Sequence, residues 1–446
     1  MMHDALRAAL LDARVPRYTS YPPANRFAAN VGATQAASWL GAVPDGAAVS
    51  LYVHVPFCRR LCWFCACRTQ GTQSDAPLDR WLDHLALEVA MVRAMLPEGV
   101  TVSALHLGGG TPTILSAERL GRLTRLLRGA FDLSGAEISV EIDPCELDGA
   151  RADALMRLGM SRASIGIQDF DPKVQDAIGR HQSAAQTARV VGMLRARGVA
   201  SVNFDLLYGL PHQTGARLAD TLDTALALRP DRIALFGYAH VPWMARRQRL
   251  IPEAALPGAA GRVDLAQAAR DRLEGVGYVP VGIDHFAWPG DALARAARGG
   301  TLRRNFQGYT TDDAAALIGM GPSAISCLPG GYVQNEAATG PWQAALASGR
   351  LPAARGHAMT RADGAVAAVI ERLMCDGAAD LDTLGLAGAM RDALLARAGE
   401  AVAALPGLGR VEGARIEAGP RAVWRLLAAR LDPGFRPETA RFSQAS

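Results

Sequence analysis

From residue 51 the chain alternates between short runs dense in β-branched and aromatic residues and longer stretches whose apolar residues recur every three or four positions. The first pattern predicts strands at 51–55, 102–107, 137–142, 161–167, 200–207 and 231–236. The second predicts helices over Leu78–Leu96, Ala117–Leu127, Ala150–Leu158, Ala184–Arg197 and Leu218–Leu228. Six strand–helix units imply a parallel sheet, which right-handed crossovers curl into a partial (β/α)6 barrel of TIM-like form. After about residue 262 the alternation fades into helices broken at Pro289-Gly290, Pro329-Gly330-Gly331 and Gly340-Pro341. The predicted organisation is therefore an N-terminal arm at 1–50, broken by Pro16, Pro22 and Pro23, an α/β barrel at 51–261, and a mostly helical C-terminal domain at 262–446 that covers the barrel's open face.

Composition narrows what such a barrel can do. No stretch of eighteen apolar residues escapes a charge, and Arg7 and Asp12 interrupt the N-terminus where a signal peptide needs an apolar core, so a soluble cytoplasmic protein with no membrane partner is expected. The net charge of +4 over 446 residues leaves no footprint for nucleic acid. Lys173 is the single lysine, so a Walker-type phosphate loop is excluded. Seven cysteines, an odd number with four inside ten residues, argue against a disulfide framework and for a reducing compartment.

Those four lie in Cys58-Arg59-Arg60-Leu61-Cys62-Trp63-Phe64-Cys65-Ala66-Cys67, on the loop that leaves the first predicted strand. Cys58, Cys62 and Cys65 are spaced so that one loop can bind three irons of a cubane through thiolates and leave the remaining iron open to a substrate. The alternative is a closed zinc knuckle with Cys67 as the last ligand, but zinc sites usually separate their ligand pairs widely in sequence. Gly108-Gly109-Gly110-Thr111 follows the second strand, where missing side chains let backbone N–H groups approach an anionic or zwitterionic ligand. Glu141 and Asp143, Gln168 and Asp169, and Asn203 and Asp205 lie at or near the ends of the next three strands, and acids in apolar strands need a partner or a ligand. His54 and His106 read as core histidines with backbone partners, Cys145, Cys327 and Cys375 as small buried hydrophobes, and Arg246-Arg247 with Arg249 as a solvated face.

The cysteine loop, with Tyr52 before it and Cys67 after it, resembles the radical S-adenosylmethionine (SAM) signature, and within that group the oxygen-independent coproporphyrinogen III oxidases, also called dehydrogenases. Pro16-Arg17-Tyr18-Thr19-Ser20-Tyr21-Pro22, the glycine motif, Asp205-Leu206-Leu207-Tyr208-Gly209-Leu210-Pro211, Asp284-His285-Phe286 and Arg304-Asn305-Phe306-Gln307-Gly308-Tyr309-Thr310-Thr311 carry the same resemblance. Trp63, where a tyrosine is more usual, and Cys145, where an arginine is common, depart from it. The resemblance implies the radical SAM form of the partial barrel, with a [4Fe–4S] cluster on Cys58, Cys62 and Cys65. It implies SAM contacts, divided between two SAM molecules, at Tyr52, Phe64, Gly109, Gly110, Thr111, Glu141, Gln168, Arg180, Asp205, Ala239 and Ile325. Cys67 and Arg17 are the candidate catalytic residues, and Arg303, Arg304 and Arg26 are further candidates for gripping substrate carboxylates. Arg180, in Ile178-Gly179-Arg180-His181-Gln182, can pair with a carboxylate.

The implied activity is decarboxylation of two coproporphyrinogen III propionates to vinyl groups by a 5′-deoxyadenosyl radical, giving protoporphyrinogen IX for haem synthesis. The expected partners are that substrate and an electron donor such as flavodoxin or ferredoxin, and the expected state is a monomer. The alternatives are a haem-binding chaperone sharing the cysteine loop, or an iron–sulfur electron-transfer module.

Overall fold

Each of the first long strands alternates a buried apolar residue with a polar or small one, and this alternation sets the two faces of the sheet. In β1 (Ala48–Val55) Val49, Leu51, Val53 and Val55 are buried on one face, while Ser50, Tyr52 and His54 occupy the other. β2 (Thr101–Gly109), β3 (Glu137–Ile142), β4 (Met160–Gln168), β5 (Ser201–Tyr208) and β6 (Arg232–Gly237) follow as parallel neighbours. The apolar faces pack against helices Ala76–Met95, Ala117–Ala130, Gly149–Leu158, Ala184–Ala196 and Gly215–Ala227 in one large core. Four of these helices start where the sequence supplies a cap: Ser116, Asp148, Ser183 and Thr214 each accept a hydrogen bond from the backbone N–H three residues on. All six predicted strands and all five predicted helices are present. The computed structural model describes residues 2–11 and 13–436; Asp12 and the end of the C-terminal segment, 437–446, lie outside the described residues.

The sheet continues where helices alone were expected. β7 (Val279–Val281) and β8 (His285–Ala287) form an antiparallel edge beside β6. β9 (Ala316–Met320) pairs parallel with β1 on the other side, followed by antiparallel β10 (Ile325–Leu328), β11 (Gly331–Asn335) and β12 (Ala353–Ala358). The result is one twelve-stranded sheet in the order β12-β11-β10-β9-β1-β2-β3-β4-β5-β6-β8-β7. These strands are three to six residues long and punctuated by glycines, so their period is too brief to stand out in sequence. The buried Glu88 carboxylate ties the extension to the barrel by accepting from Gly321 N–H, Asn335 Nδ2 and Trp342 Nε1. Burial pushes Glu88 up to about 7 in spite of those donors.

The expected helices occupy the last part of the chain. Arg361–Asp376, Gly388–Ala403 and Arg421–Leu431 pack with a small three-stranded sheet around a second core. That core includes Leu10, Val15, Tyr18 and Tyr21, so the N-terminal arm is docked onto the C-terminal helices. Arg26 forks onto the fully buried Asp432 carboxylate, which also accepts from Tyr18 Oη at 2.9 Å. Arg26→Ala strands a buried carboxylate and is expected to destabilise the fold by about 3 kcal/mol or more, a cost that chemical denaturation monitored by circular dichroism measures. No helix among the described residues is long and apolar enough to cross a membrane.

Candidate active site at the barrel mouth

The polar members of the strand alternations share the inner face and touch across neighbouring strands. The rings of Tyr52 and His106 stack at 5.8 Å, and His106 Nε2 lies 3.3 Å from Glu141 Oε1. Glu141 Oε2 accepts from Gly109 N–H at 3.0 Å. Burial works to raise the Glu141 carboxyl, but His106 and the Gly109 donor outweigh it and hold it below the ordinary range. Asp205 stands further round the barrel, accepting from Ser164 Oγ at 2.9 Å and Asn203 Nδ2 at 2.8 Å. Burial, and then the charge of Glu141, push Asp205 up to about 6.

The cysteine loop arches over the β1 end of this face. Cys58, Cys62 and Cys65 are all free of disulfides, and each has its own donor. Thr111 Oγ1 reaches Cys58 Sγ at 3.5 Å, Arg180 Nη1 reaches Cys62 Sγ at 3.5 Å, and Cys67 N–H reaches Cys65 Sγ at 3.4 Å. The Cys67 thiol also donates to Cys65, which holds Cys65 below the ordinary thiol range and raises Cys67. A thiolate-bound cluster is served by donors of this kind. Among the described residues no three His, Cys, Asp or Glu side chains converge as a single metal ion requires.

The glycine turn beside the loop is needed for space. A Cβ on Gly109, at φ 106°, would meet the His54 ring at 2.5 Å, and one on Gly110 would meet Phe57 O at 2.5 Å. The expectation that its N–H groups face a ligand is corrected: they are spent on Glu141, Val55 O and Thr111's partner Phe57 O. On the far rim Gln168 Oε1, Arg180 Nε and Asn203 Oδ1 are buried without a protein partner. Gln168 itself sits at φ 64°, a conformation rare for a residue with a side chain. The donor set, the absent side chains and these orphaned atoms together fit a thiolate-held cluster with an adjacent polar small molecule.

Other sequence candidates divide. Arg180 pairs with Asp143 at 3.3 Å through one nitrogen and donates to Gly166 O and Gln182 Oε1. Phe64 and Ala239 meet at Gln248, whose Nε2 donates to both their carbonyls, at 2.7 Å and 3.0 Å. Ile325 opens β10, and its backbone would collide with a Cβ on Gly319, the partner of Tyr52 across β1 and β9. Asp169 is a buried structural hub that accepts from Asp171 N–H, Gln213 Nε2 and Thr221 Oγ1. Arg26 and Arg303 are committed to Asp432 and Glu371, while Arg304 clamps the backbone of Arg17 and Tyr18.

Arg17 donates to Gly237 O at 2.9 Å, lies over the Phe236 ring, and lines a cavity of about 400 Å3 with Tyr208, Asp284 and Arg425. Burial, then the charge of Arg17, bring Arg425 down to about 10. Burial would raise Asp284, but His285, Arg304 and Arg17 hold it down to about 2.

Three expectations change. His54 does have a backbone partner, Arg68 O at 3.0 Å, but His106 pairs with Glu141 instead. Cys145 is half-buried beside Arg60 Nη2 at 2.8 Å and is no core hydrophobe. Arg247 is not a solvated charge: its Nη2 donates to Cys67 O at 3.3 Å and Thr69 Oγ1 at 2.9 Å. Arg247 and Gln248 were invisible in sequence because one arginine among 46 and one loop glutamine carry no signal.

Comparison with known proteins places this arrangement. Residues 52–225 match the model of the radical SAM superfamily. An oxygen-independent coproporphyrinogen III oxidase of Cereibacter sphaeroides is 49% identical over 98% of this chain and 98% of its own. This chain belongs to the oxygen-independent coproporphyrinogen III oxidase family. A family member from Paracoccus denitrificans is 56% identical over 83% of this chain and 82% of its own length. The solved structure of coproporphyrinogen III oxidase from Escherichia coli, a radical SAM enzyme, superposes with a TM-score of 0.89 at 36% identity, covering 94% of this chain and 100% of that one. The family's radical SAM barrel is the six-stranded parallel core described above.

Proposed function

We infer that the chain catalyses the anaerobic oxidative decarboxylation of coproporphyrinogen III to protoporphyrinogen IX in haem biosynthesis. The observation that carries this reading is the near full-length likeness to named oxidases in a chain whose cysteine loop, glycine turn and acidic rim open on one barrel mouth. A [4Fe–4S] cluster and SAM, when bound, supply a carbon radical able to take hydrogen from a propionate β-carbon, after which CO2 leaves, a vinyl group remains and one electron passes to an acceptor.

This chain's residues fall into roles around that chemistry. Cys58, Cys62 and Cys65 would hold the cluster, with Cys67 as donor to Cys65. Glu141, Gln168, Arg180 and Asp205 offer charge and orphaned polar atoms to SAM, and Tyr52, Phe64, Gly109, Gly110, Thr111, Ala239 and Ile325 complete its walls, across two SAM molecules. Arg17 and Arg425 present guanidiniums on the wall of the cavity beside the β5 and β6 ends, suited to propionates. We place the enzyme in the cytoplasm as a monomer that draws electrons from a flavodoxin or ferredoxin.

Reduced enzyme given SAM, coproporphyrinogen III and an electron acceptor under anaerobiosis is expected to form a monovinyl tricarboxylate and then the divinyl product by chromatography. Arg17→Ala is expected to raise KM about tenfold, the loss of one charge-assisted contact, with cluster absorbance unchanged. Tight haem binding with no decarboxylated product would instead support a chaperone.

A further inference from the structure

Among the described residues seven large apolar side chains are exposed, and four of them belong to the cysteine loop or to the segment pinned on it: Leu61, Trp243, Met244 and Leu250 at 37%, 44%, 73% and 59%. Scattered exposed hydrophobes need no explanation, but a concentration of them beside a redox centre marks a contact surface. Residues 241–251 are held against the loop by Gln248 on Phe64 O and by Arg247 on Cys67 O. The same segment carries Arg246 and Arg249, both exposed and without an ion-pair or hydrogen-bond partner among the described residues. Arg60 and Arg68 are exposed on the loop itself. Of the nearby acids, Asp75 pairs with Arg59 and Arg119 and Asp143 with Arg180, Glu146 faces Arg59 and Arg60, and Glu253 is exposed beside His240. The segment thus presents exposed apolar side chains together with two unpaired guanidiniums, those of Arg246 and Arg249.

We propose that this surface is the docking site of a small acidic one-electron carrier protein. The proposal rests on the function inferred above, which needs one electron delivered to the cluster for each SAM consumed. The carrier is oxidised by one electron, the cluster is reduced by one, and no covalent bond forms in the transfer. Position argues for the site, because the segment is hydrogen-bonded to the cysteine loop itself, at Phe64 O and Cys67 O. Charge argues for the partner: the unpaired Arg246 and Arg249 steer an acidic protein and repel a basic one. Exposed apolar side chains beside unpaired charge suit the small, quickly released interfaces of electron-transfer encounters.

The test uses the reconstituted holoenzyme, oxidised and reduced flavodoxin as the probe, and dithionite as a donor too small to need docking. Arg246→Glu with Arg249→Glu, and separately Trp243→Ser with Met244→Ser, change side chains that make no hydrogen bond or ion pair among the described residues. Calorimetric affinity of the parent for oxidised flavodoxin is expected to fall as salt rises, and the charge-reversed variant to bind at least tenfold more weakly at low salt. SAM cleavage driven by reduced flavodoxin should fall in parallel in both variants, while cleavage driven by dithionite stays at the parent level. Parental flavodoxin affinity in both variants, or equal loss with the two donors, overturns the docking site. A parent that cleaves no SAM with dithionite counts against the inferred function, and the calorimetric comparison still decides the surface.

Discussion

Reconstituted anaerobically, Cys58→Ser, Cys62→Ser and Cys65→Ser are each expected to lose the cluster and to cleave no SAM, whereas Cys67→Ser takes up a full complement of iron and sulfide. The reason is the pattern of donors. Thr111, Arg180 and the Cys67 N–H each serve one of the first three sulfurs, while Cys67 gives a hydrogen bond and receives none of this kind. A serine at 67 keeps a donor in place, and a serine at any of the other three removes a soft thiolate that iron requires. Iron analysis and the visible absorption of the reconstituted proteins read the result. Loss of iron in Cys67→Ser equal to that in Cys58→Ser would restore the four-cysteine site.

The second large effect separates binding from stability at the two inner carboxylates. Asp205→Asn and Glu141→Gln should each weaken SAM about 10- to 100-fold, the usual worth of a charged hydrogen bond. Their effects on melting should have opposite signs. Asp205 binds its proton more tightly folded, at about 6, than at its ordinary 3.8, so the parent loses stability as pH rises across that window. Asp205→Asn is spared that loss and should melt at or above the parent at pH 8, with the advantage gone near pH 4. Glu141 is held below its ordinary 4.5, so its charge stabilises the fold at neutral pH. Glu141→Gln should therefore melt earlier than the parent at pH 8, and the deficit should shrink on acidification below 4.5. Calorimetric SAM titration together with melting across pH 4–8 checks both. A variant with normal SAM affinity and a changed melting temperature returns that residue to a purely structural role.

What was legible in the sequence follows from what local pattern can carry. The barrel strands were visible because Val49, Leu51, Val53 and Val55, or Ile138, Val140 and Ile142, repeat a two-residue period long enough to detect. The strand ends put Glu141 and Asp205 on one rim, whereas the pairing of His106 with Glu141 across neighbouring strands was not readable from either strand alone. β9 to β12 escaped because short strands broken by Gly319, Gly330 and Gly331 resemble loops, and what makes them strands is pairing with a distant β1. Arginine roles were unreadable for a different reason. Arg26, Arg304 and Arg247 have partners 406, 286 and 180 residues away, and nothing local distinguishes them from a solvated face.

The central claim is that hydrogen leaves a propionate β-carbon for the adenosyl fragment of SAM inside this barrel. It is tested most directly with coproporphyrinogen III carrying deuterium at the propionate β-carbons, incubated anaerobically with reduced holoenzyme, SAM and an electron acceptor. Mass spectrometry of the 5′-deoxyadenosine formed is expected to show deuterium incorporated in step with the vinyl groups produced. Vinyl product accompanied by unlabelled 5′-deoxyadenosine would contradict the account.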